Sequence, residues 1–306
     1  MRIKFWGVRG STPCPGPDTV KIGGNTACIE LRYGRNGGTG ELIIIDAGSG
    51  IRNLGNELMK RQGCPEHIRI FLTHTHSDHI MGLPYFTPIY MKGCKIDIYG
   101  PVTYEDEGLE KIISDQFSYR YFPVKHSELD ADISYHPLQQ TELEIGDMTI
   151  RTHYLNHPIL TLGYRFEYEG KVVTTAYDTE PYYNLFPEDP ADPLYDEFAA
   201  EEGRAAADEA NEEIADFYRG SDILIHDSQY TQSEYDKSYR GWGHSPFEWT
   251  LKTAGEKGVG KLFFFHHAME RTDTMLDELL LGYKKDAEAY EGLSVDLARE
   301  GHTEEA

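Results

Sequence analysis

The chain has 306 residues, of which 39% are hydrophobic and 12% aromatic, enough for a sizeable buried core and incompatible with a mostly disordered chain. Its 52 acidic residues against 29 basic ones leave a formal net charge of -23. That field repels polyanions and anionic membranes, and with no block of Lys and Arg to offset it, long nucleic acids and membranes are not expected partners, although part of the acidity equally serves solubility.

The opening MRIKFWGVRG has no long apolar run behind its positive charges, and no later stretch approaches bilayer length, so a cytoplasmic protein is expected. Cys14, Cys28, Cys64 and Cys94 form no Cys-x-x-Cys pair and read as buried reduced thiols. The first apolar run, LIII at 42 to 45, reads as a buried strand and is followed by Asp46. Residues 50 to 62 then carry apolar positions at helical spacing and stop at Gly63, a C-terminal cap.

A second strand, IRIFL at 68 to 72, leads into THTHSDHIMGLP, which places three histidines and an aspartate within six positions. If the chain stays extended, His74 and His76 point the same way; Asp78 and His79 then lie where it turns into a helix, whose free N–H groups favour negative charge. Such a group supplies parts of two metal sites and requires more ligands from elsewhere. Candidates are His157 in LNHPILTLGYRF, Asp178 after the strand KVVTTAY (171 to 177), and His266 or His267 after the strand LFFF (262 to 265). His153 competes with His157 but lacks its place before a proline. Asp178 has two carboxylate oxygens and can bridge two cations.

Between these lie further signals. Residues 164 to 173 read as a hairpin about Glu169-Gly170. Residues 180 to 217 hold thirteen acidic residues against one arginine, Arg204, open on the Pro-rich FPEDPADP and continue as an Ala/Glu-rich helix; they read as an insertion whose simplest role is a solvated surface helix. The strand ILI (223 to 225) is followed by His226 and Asp227, and Ser245-Pro246-Phe247-Glu248 reads as a helix start with Ser245 as cap. Five apolar strands thus end in groups that bind metal or carry protons, and a mixed α/β architecture with these ends on one rim is predicted. The domain is expected over 1 to 292, with 293 to 306 as a tail whose end, REGHTEEA, frays.

His74, His76, Asp78, His79, His157, Asp178 and His266 in this order, with LIIIDAGSG around Asp46, resemble the metallo-β-lactamase superfamily over roughly residues 1 to 290. The resemblance implies a four-layer αββα sandwich with a di-metal site at one edge. It implies that His74, His76 and His157 hold one metal, that Asp78, His79 and His266 hold the other, that Asp178 bridges them, and that Asp46 supports the ligands from behind. The motif LIHDSQYT followed by GWGHSPFEW resembles segments of the transfer-RNA 3′-processing endonucleases and their cyclic phosphodiesterase relatives. By that resemblance Asp227 orients His244, which protonates the departing oxygen. The N-terminal GVRGSTPCPGPDTVKIGGNTACIEL is similar to the same group, and places Arg9, Ser11 or Asn25 at the phosphate. Two departures stand out: HAME follows the last histidine where relatives often have Asp-Pro, and the basic RNA-binding arm is missing.

These readings converge on a hydrolase of a small phosphodiester, cyclic ones included, in which a hydroxide between the metals attacks and Asp78 belongs to the catalytic set. Two divalent cations are expected, Zn²⁺ by default because imidazole and carboxylate donors without thiolate suit it, with Mn²⁺ or Fe compatible. The alternatives are acyl hydrolysis of a lactone or thioester, and a non-catalytic metal-binding interaction protein. Tyr119 to Tyr121, Trp242 and the insertion serve either as a base-stacking wall or as a homodimer contact.

Overall fold

The computed structural model describes residues 1–34, 40–63, 65–102 and 107–306. Cys64 lies outside the described residues; Cys28 is a buried free thiol, Cys94 is buried with its Sγ 3.3 Å from the Pro65 carbonyl, and Cys14 is half-buried. The first half of the chain lays down strands β1 (Arg2–Gly7), β2 (Cys28–Tyr33), β3 (Glu41–Ile45), β4 (His67–Phe71), β5 (Lys95–Pro101) and β6 (Asp132–Leu138). The second half adds β7 (Glu142–Ile145), β8 (Met148–Leu155), β9 (Thr161–Tyr168), β10 (Lys171–Ala176), β11 (Ile223–Asp227), β12 (Lys261–Phe265) and β13 (Ser294–Leu297), and β14 (Thr303–Glu305) returns to the first half. Two seven-stranded sheets result, ordered β14-β1-β2-β3-β4-β5-β6 and β13-β12-β11-β10-β9-β8-β7.

Period-two alternation explains the layers. On β3, Ile43 and Ile45 face the second sheet, meeting Phe166, Val173 and Phe263 in one core, while Leu42 and Ile44 face outward into a separate cluster. That outer cluster is covered by α1 (Ile51–Gln62), the short α2 (Ser77–Ile80) and α3 (Leu109–Asp115). The outer face of the second sheet, with Leu262 and Phe264, is covered by α4 (Glu197–Phe217), α6 (Phe247–Glu256) and α7 (Asp273–Ala287); the one-turn α5 (Gln232–Glu234) lies between α4 and α6 in sequence. Each large side chain sealed between layers contributes about 1.5–3 kcal/mol, so both strand faces carry stability. The four-layer αββα sandwich is the fold the sequence implied.

The strand assignments agree with the apolar runs to within a residue or two. Gly63 closes α1 at φ 77°, and Glu169 and Gly170 both take positive φ (49° and 76°), the pairing a two-residue hairpin turn needs between β9 and β10. Three expectations are corrected. Ser245 does not cap α6: its hydroxyl donates to the carbonyl of Thr179 at 2.7 Å, and the helix begins after Pro246. The C-terminal end is not frayed, because β14 pairs antiparallel with β1 and Glu300 accepts both the backbone and side-chain N–H of Asn25. The acidic helix α4 is solvated on one side only, with Ala200, Ile214 and Ala215 buried, and Phe217 stacks on His153 at 5.2 Å.

Candidate active site

The parallel strands β3 and β4 in one sheet and β10, β11 and β12 in the other end at the same edge of the sandwich, so the residues just past them meet there. Asp46 follows β3, His74 follows β4, Asp178 follows β10, and His266 follows β12. His157 arrives from the loop after β8, and α2 delivers Asp78 and His79. His153, on β8 itself, is committed to Phe217 of α4 and stays away from this edge.

Among the described residues three groups of candidate donors form there, all sharing Asp178: two are built from the seven predicted ligands, and the third joins Asp178 and His266 to Asp227 and His244. In the first, His76 Nδ1 lies 3.0 Å from His74 Nε2 and 3.2 Å from His157 Nε2, and Asp178 Oδ2 lies 3.5 and 3.9 Å from those two Nε2 atoms. In the second, His79 Nε2 and His266 Nε2 are 3.2 Å apart. Asp78 Oδ2 lies 3.3 Å from the first of these and 3.2 Å from the second; Asp178 Oδ1 stands at the same two distances. A tetrahedron with bonds of about 2.0–2.1 Å has edges of about 3.3 Å, so the second set matches the donor spacing around a small divalent cation, while the first is looser, at 3.0 to 3.9 Å. The donor chemistry fits as well. Asp178 Oδ1 is a buried acceptor with no hydrogen-bond partner among the described residues, and imidazole nitrogens that turn lone pairs toward one another are unsatisfied unless a cation joins them.

The far sides of the rings fix their tautomers. His79 Nδ1 donates to Asp46 at 2.7 Å, His74 Nδ1 donates to the Thr73 hydroxyl at 3.0 Å, and His157 Nδ1 donates to the Gly243 carbonyl at 2.9 Å, leaving each Nε2 lone pair for the centre. Asp46 is itself held by the Thr73 backbone N–H at 2.7 Å and the Thr73 hydroxyl at 2.8 Å. The Gln229 side-chain amide Nε2 stands 2.7 Å from His266 Nδ1 and backs the ring on the side away from the centre. Burial drives His74 well below the ordinary histidine range and His157 down to about 4, so these two rings stay neutral. Burial alone would raise Asp178; His266, His79 and His74 override it and hold the carboxylate well below its usual range. Burial would likewise lower His79, but Asp178, Asp78 and Asp46 raise it well above normal, which measures how strongly this carboxylate cluster calls for positive charge.

Beside both sets stands an imidazole that belongs to neither of the tetrahedra. His244 Nδ1 is 2.8 Å from Asp227 Oδ2, its ring stacks on His266 at 5.1 Å, and its Nε2 makes no hydrogen bond to the described residues. Burial pushes His244 down, and Asp227 outweighs it and lifts the ring to about 9. Asp227 is oriented in turn by the Thr179 N–H at 3.2 Å. Alternation along β11 sends Asp227 to this edge and its neighbour His226 to the opposite face, against Tyr218 and Trp249.

A family model described as a beta-lactamase superfamily domain matches residues 42–189, the stretch that carries the His74 to His79 motif, His157 and Asp178. Over this stretch, just under half of the chain, it resembles the metallo-β-lactamase superfamily. Among curated relatives, the ribonuclease Z of Thermoplasma acidophilum is 25% identical over 302 residues, covering 90% of this chain and 88% of the relative. Among solved structures, the short form of human tRNase Z superposes with a TM-score of 0.63 at 19% identity, covering 100% and 99% of the two chains. A diphosphatase of the PhnP family superposes with a TM-score of 0.62 at 18% identity, covering 100% and 97%. At these identities the superpositions speak to the fold.

Within the N-terminal loop the three expected phosphate contacts separate. Ser11 reaches the edge through its backbone, whose N–H donates to Asp78 Oδ2 at 2.8 Å from a left-handed φ of 64°. Arg9 does not line the site. It is fully buried, and its guanidinium donates to the carbonyls of Gly23, Ala268 and Arg271 at 2.7, 3.2 and 2.7 Å, tying the loop to the turn after His266. Asn25 does not face the site either, because Glu300 takes its amide N–H and the Ser49 hydroxyl occupies its oxygen. His267, the rival of His266, donates Nε2 to Ala298 O at 3.0 Å and is pushed down to about 3 by burial. Among the described residues four non-glycine positions have positive φ, and three of them, Ser11, Asp46 and His266, sit at this edge, where the surroundings hold backbone that an isolated strand end would not adopt.

Sequence reading missed Gln229 and Gly243 as supports. The glycine carried a readable signal, since GWG immediately before a candidate histidine requires a tight backbone approach. A Cβ on Gly243 would stand 2.3 Å from His157 Nδ1.

Proposed function

We propose that the protein is a metal-dependent hydrolase of a small phosphodiester, cyclic ones included. In this reading His74, His76, His157 and Asp178 hold one divalent cation, Asp78, His79, His266 and Asp178 hold a second, and His244 with Asp227 protonates the leaving oxygen. The carrying observation is the 2.8 Å His244 to Asp227 pair standing against both donor sets. When bound, the cations supply Lewis acidity toward the phosphoryl oxygens and an activated water. Zn²⁺ suits donors that are all imidazole and carboxylate, and Mn²⁺ or Fe is compatible with the same set.

The chain's own residues do the rest. Asp46 and Thr73 keep the rings of His79 and His74 facing the centre, and the Ser11 N–H holds Asp78 in place. His244, with Nδ1–H committed to Asp227, presents Nε2–H to the departing group, a contribution of about a hundredfold to ten-thousandfold when that group is a poorly leaving alkoxide. The pair also speaks against thioesters, because a thiolate departs without a proton. The name ribonuclease Z attaches to RNA diesters and the PhnP-family diphosphatase to a phosphate substrate; for this chain, the net charge of -23 and the lack of any Lys/Arg block favour the smaller diester.

The test is hydrolysis of bis-p-nitrophenyl phosphate by protein of known metal content, with and without a chelator. A rate abolished by the chelator and restored by Zn²⁺ or Mn²⁺ is expected. Protein retaining two equivalents of metal yet inert toward this diester would move the assignment to acyl substrates.

A further inference from the structure

Trp242 is 61% exposed although it lies two residues from His244. A single exposed aromatic needs no explanation in itself, but the backbone that carries this one is pinned on both sides. The Gly241 N–H donates at 2.8 Å to Glu180, a carboxylate only 5% exposed that also accepts the Tyr235 hydroxyl at 2.9 Å. The Gly243 carbonyl accepts His157 Nδ1–H at 2.9 Å. Both glycines take left-handed φ, 85° and 83°, a conformation other residues rarely adopt.

Behind the indole runs a row of rings that begins at the proton donor. Tyr230 meets His244 edge-on at 6.4 Å, Tyr239 lies flat on Tyr230 at 4.0 Å and an interplanar angle of 2°, and Trp242 meets Tyr239 edge-on at 5.4 Å. Tyr230 is buried. The row therefore runs from the chemistry to solvent.

We propose that Trp242, backed by Tyr239 and Tyr230, is a stacking platform for a flat aromatic group carried on the leaving alcohol, a nucleobase being the group that fits this chemistry. The inference rests on the phosphodiesterase reading and deepens it. His244 determines the side: the oxygen it protonates departs with the leaving group, so whatever that oxygen carries lies next to Tyr230. Two peptide units span at most about 7 Å, which keeps the Trp242 backbone within a sugar's reach of the acid. Stacking also suits the electrostatics. In a chain of net charge -23, a π-face binds a neutral nucleoside without the cationic groove that a long anionic backbone would require.

The experiment compares a dinucleoside monophosphate with its counterpart whose leaving sugar lacks the base, using wild type, Trp242→Ala and Trp242→Phe, with bis-p-nitrophenyl phosphate as the common reference. Wild type is expected to prefer the base-bearing diester. Trp242→Ala should shrink that preference about tenfold to a hundredfold, chiefly through KM, and Trp242→Phe should restore most of it. A wild type active on the reference but indifferent to the base, or an equal loss on both dinucleotides in Trp242→Ala, overturns the platform and leaves the phosphodiesterase reading standing. Inactivity of metal-loaded wild type on all three diesters overturns that reading and the platform with it.

Discussion

Asp46 and His79 are joined by a 2.7 Å hydrogen bond in which both side chains are fully buried. Asp46 sits at φ 58°, which asparagine also tolerates, so Asp46→Asn preserves the backbone while altering the chemistry. All the groups around this carboxylate donate to it: the Thr73 N–H, the Thr73 hydroxyl and His79 Nδ1–H. An amide must turn its NH₂ toward one of them. If it faces His79, the proton moves to Nε2 and the lone pair is lost to the centre. Asp46→Asn is therefore expected to weaken metal retention about 10- to 100-fold, read by competition against a graded chelator, while the fold by circular dichroism is unchanged.

Gly243 offers a steric test on the other donor set. A methyl group there would stand 2.3 Å from His157 Nδ1 on a backbone at φ 83°, so clash and strain act together. Gly243→Ala should release His157 and lower both metal content and turnover by at least about tenfold. Gly241→Ala is the matched control, since it carries the same conformational strain but meets only the Tyr183 hydroxyl, at 3.3 Å. Equal metal retention by the two variants would show that the approach to His157 does not matter.

The donor sets were legible in the sequence because strand periodicity and the spacing of His74, His76, Asp78 and His79 are local properties, and the late ligands follow apolar runs that can only be buried strands. What escaped depends on chain ends meeting in space. Arg9 and Asn25 read as phosphate contacts because a glycine-rich loop does not reveal which carbonyls and carboxylates will reach it; the partners are Ala268, Arg271 and Glu300, more than 250 residues away. The tail read as frayed for the same reason. Thr303, Glu304 and Glu305 show no apolar alternation, and become a strand only because β1 presents an open edge, with Arg2 opposite Glu305 and Lys261 reaching Glu304 at 2.6 Å.

His226 lies outside the centre and predicts an acid limb in stability. It is fully buried, and burial pushes it down to about 4, with Nδ1–H donated to the Asp227 carbonyl at 2.7 Å and Nε2 unpartnered. The unfolded chain binds this proton below about 6.5, whereas the folded one refuses it until about 4. Its contribution is thus fully present above pH 6.5 and is lost as pH falls toward 4, about 3 kcal/mol across that window. His226→Phe keeps a ring against Tyr218 and Trp249 and removes the proton. Denaturant midpoints between pH 7 and 4.5 should fall less steeply in the variant than in wild type, and parallel curves would exclude His226 as the source.

The sharpest prediction concerns leaving groups. If His244 delivers a proton to the departing oxygen, its value depends on how much that oxygen needs one. A p-nitrophenolate leaves unassisted, so His244→Ala should lower its release by less than about tenfold, whereas a diester with an alkoxide leaving group should slow by about a hundredfold to ten-thousandfold. Asp227→Asn should fall between, because the ring keeps its place beside His266 but loses the carboxylate that lifts it to about 9 and fixes Nδ1–H. The two variants are expected to retain metal, because the two donor groups formed by the other seven side chains contain neither His244 nor Asp227; loss of metal would instead assign these two to the third group, with Asp178 and His266. A uniform loss on both substrates with metal intact would mean that His244 merely packs beside the centre, and the proton would have to come from another group.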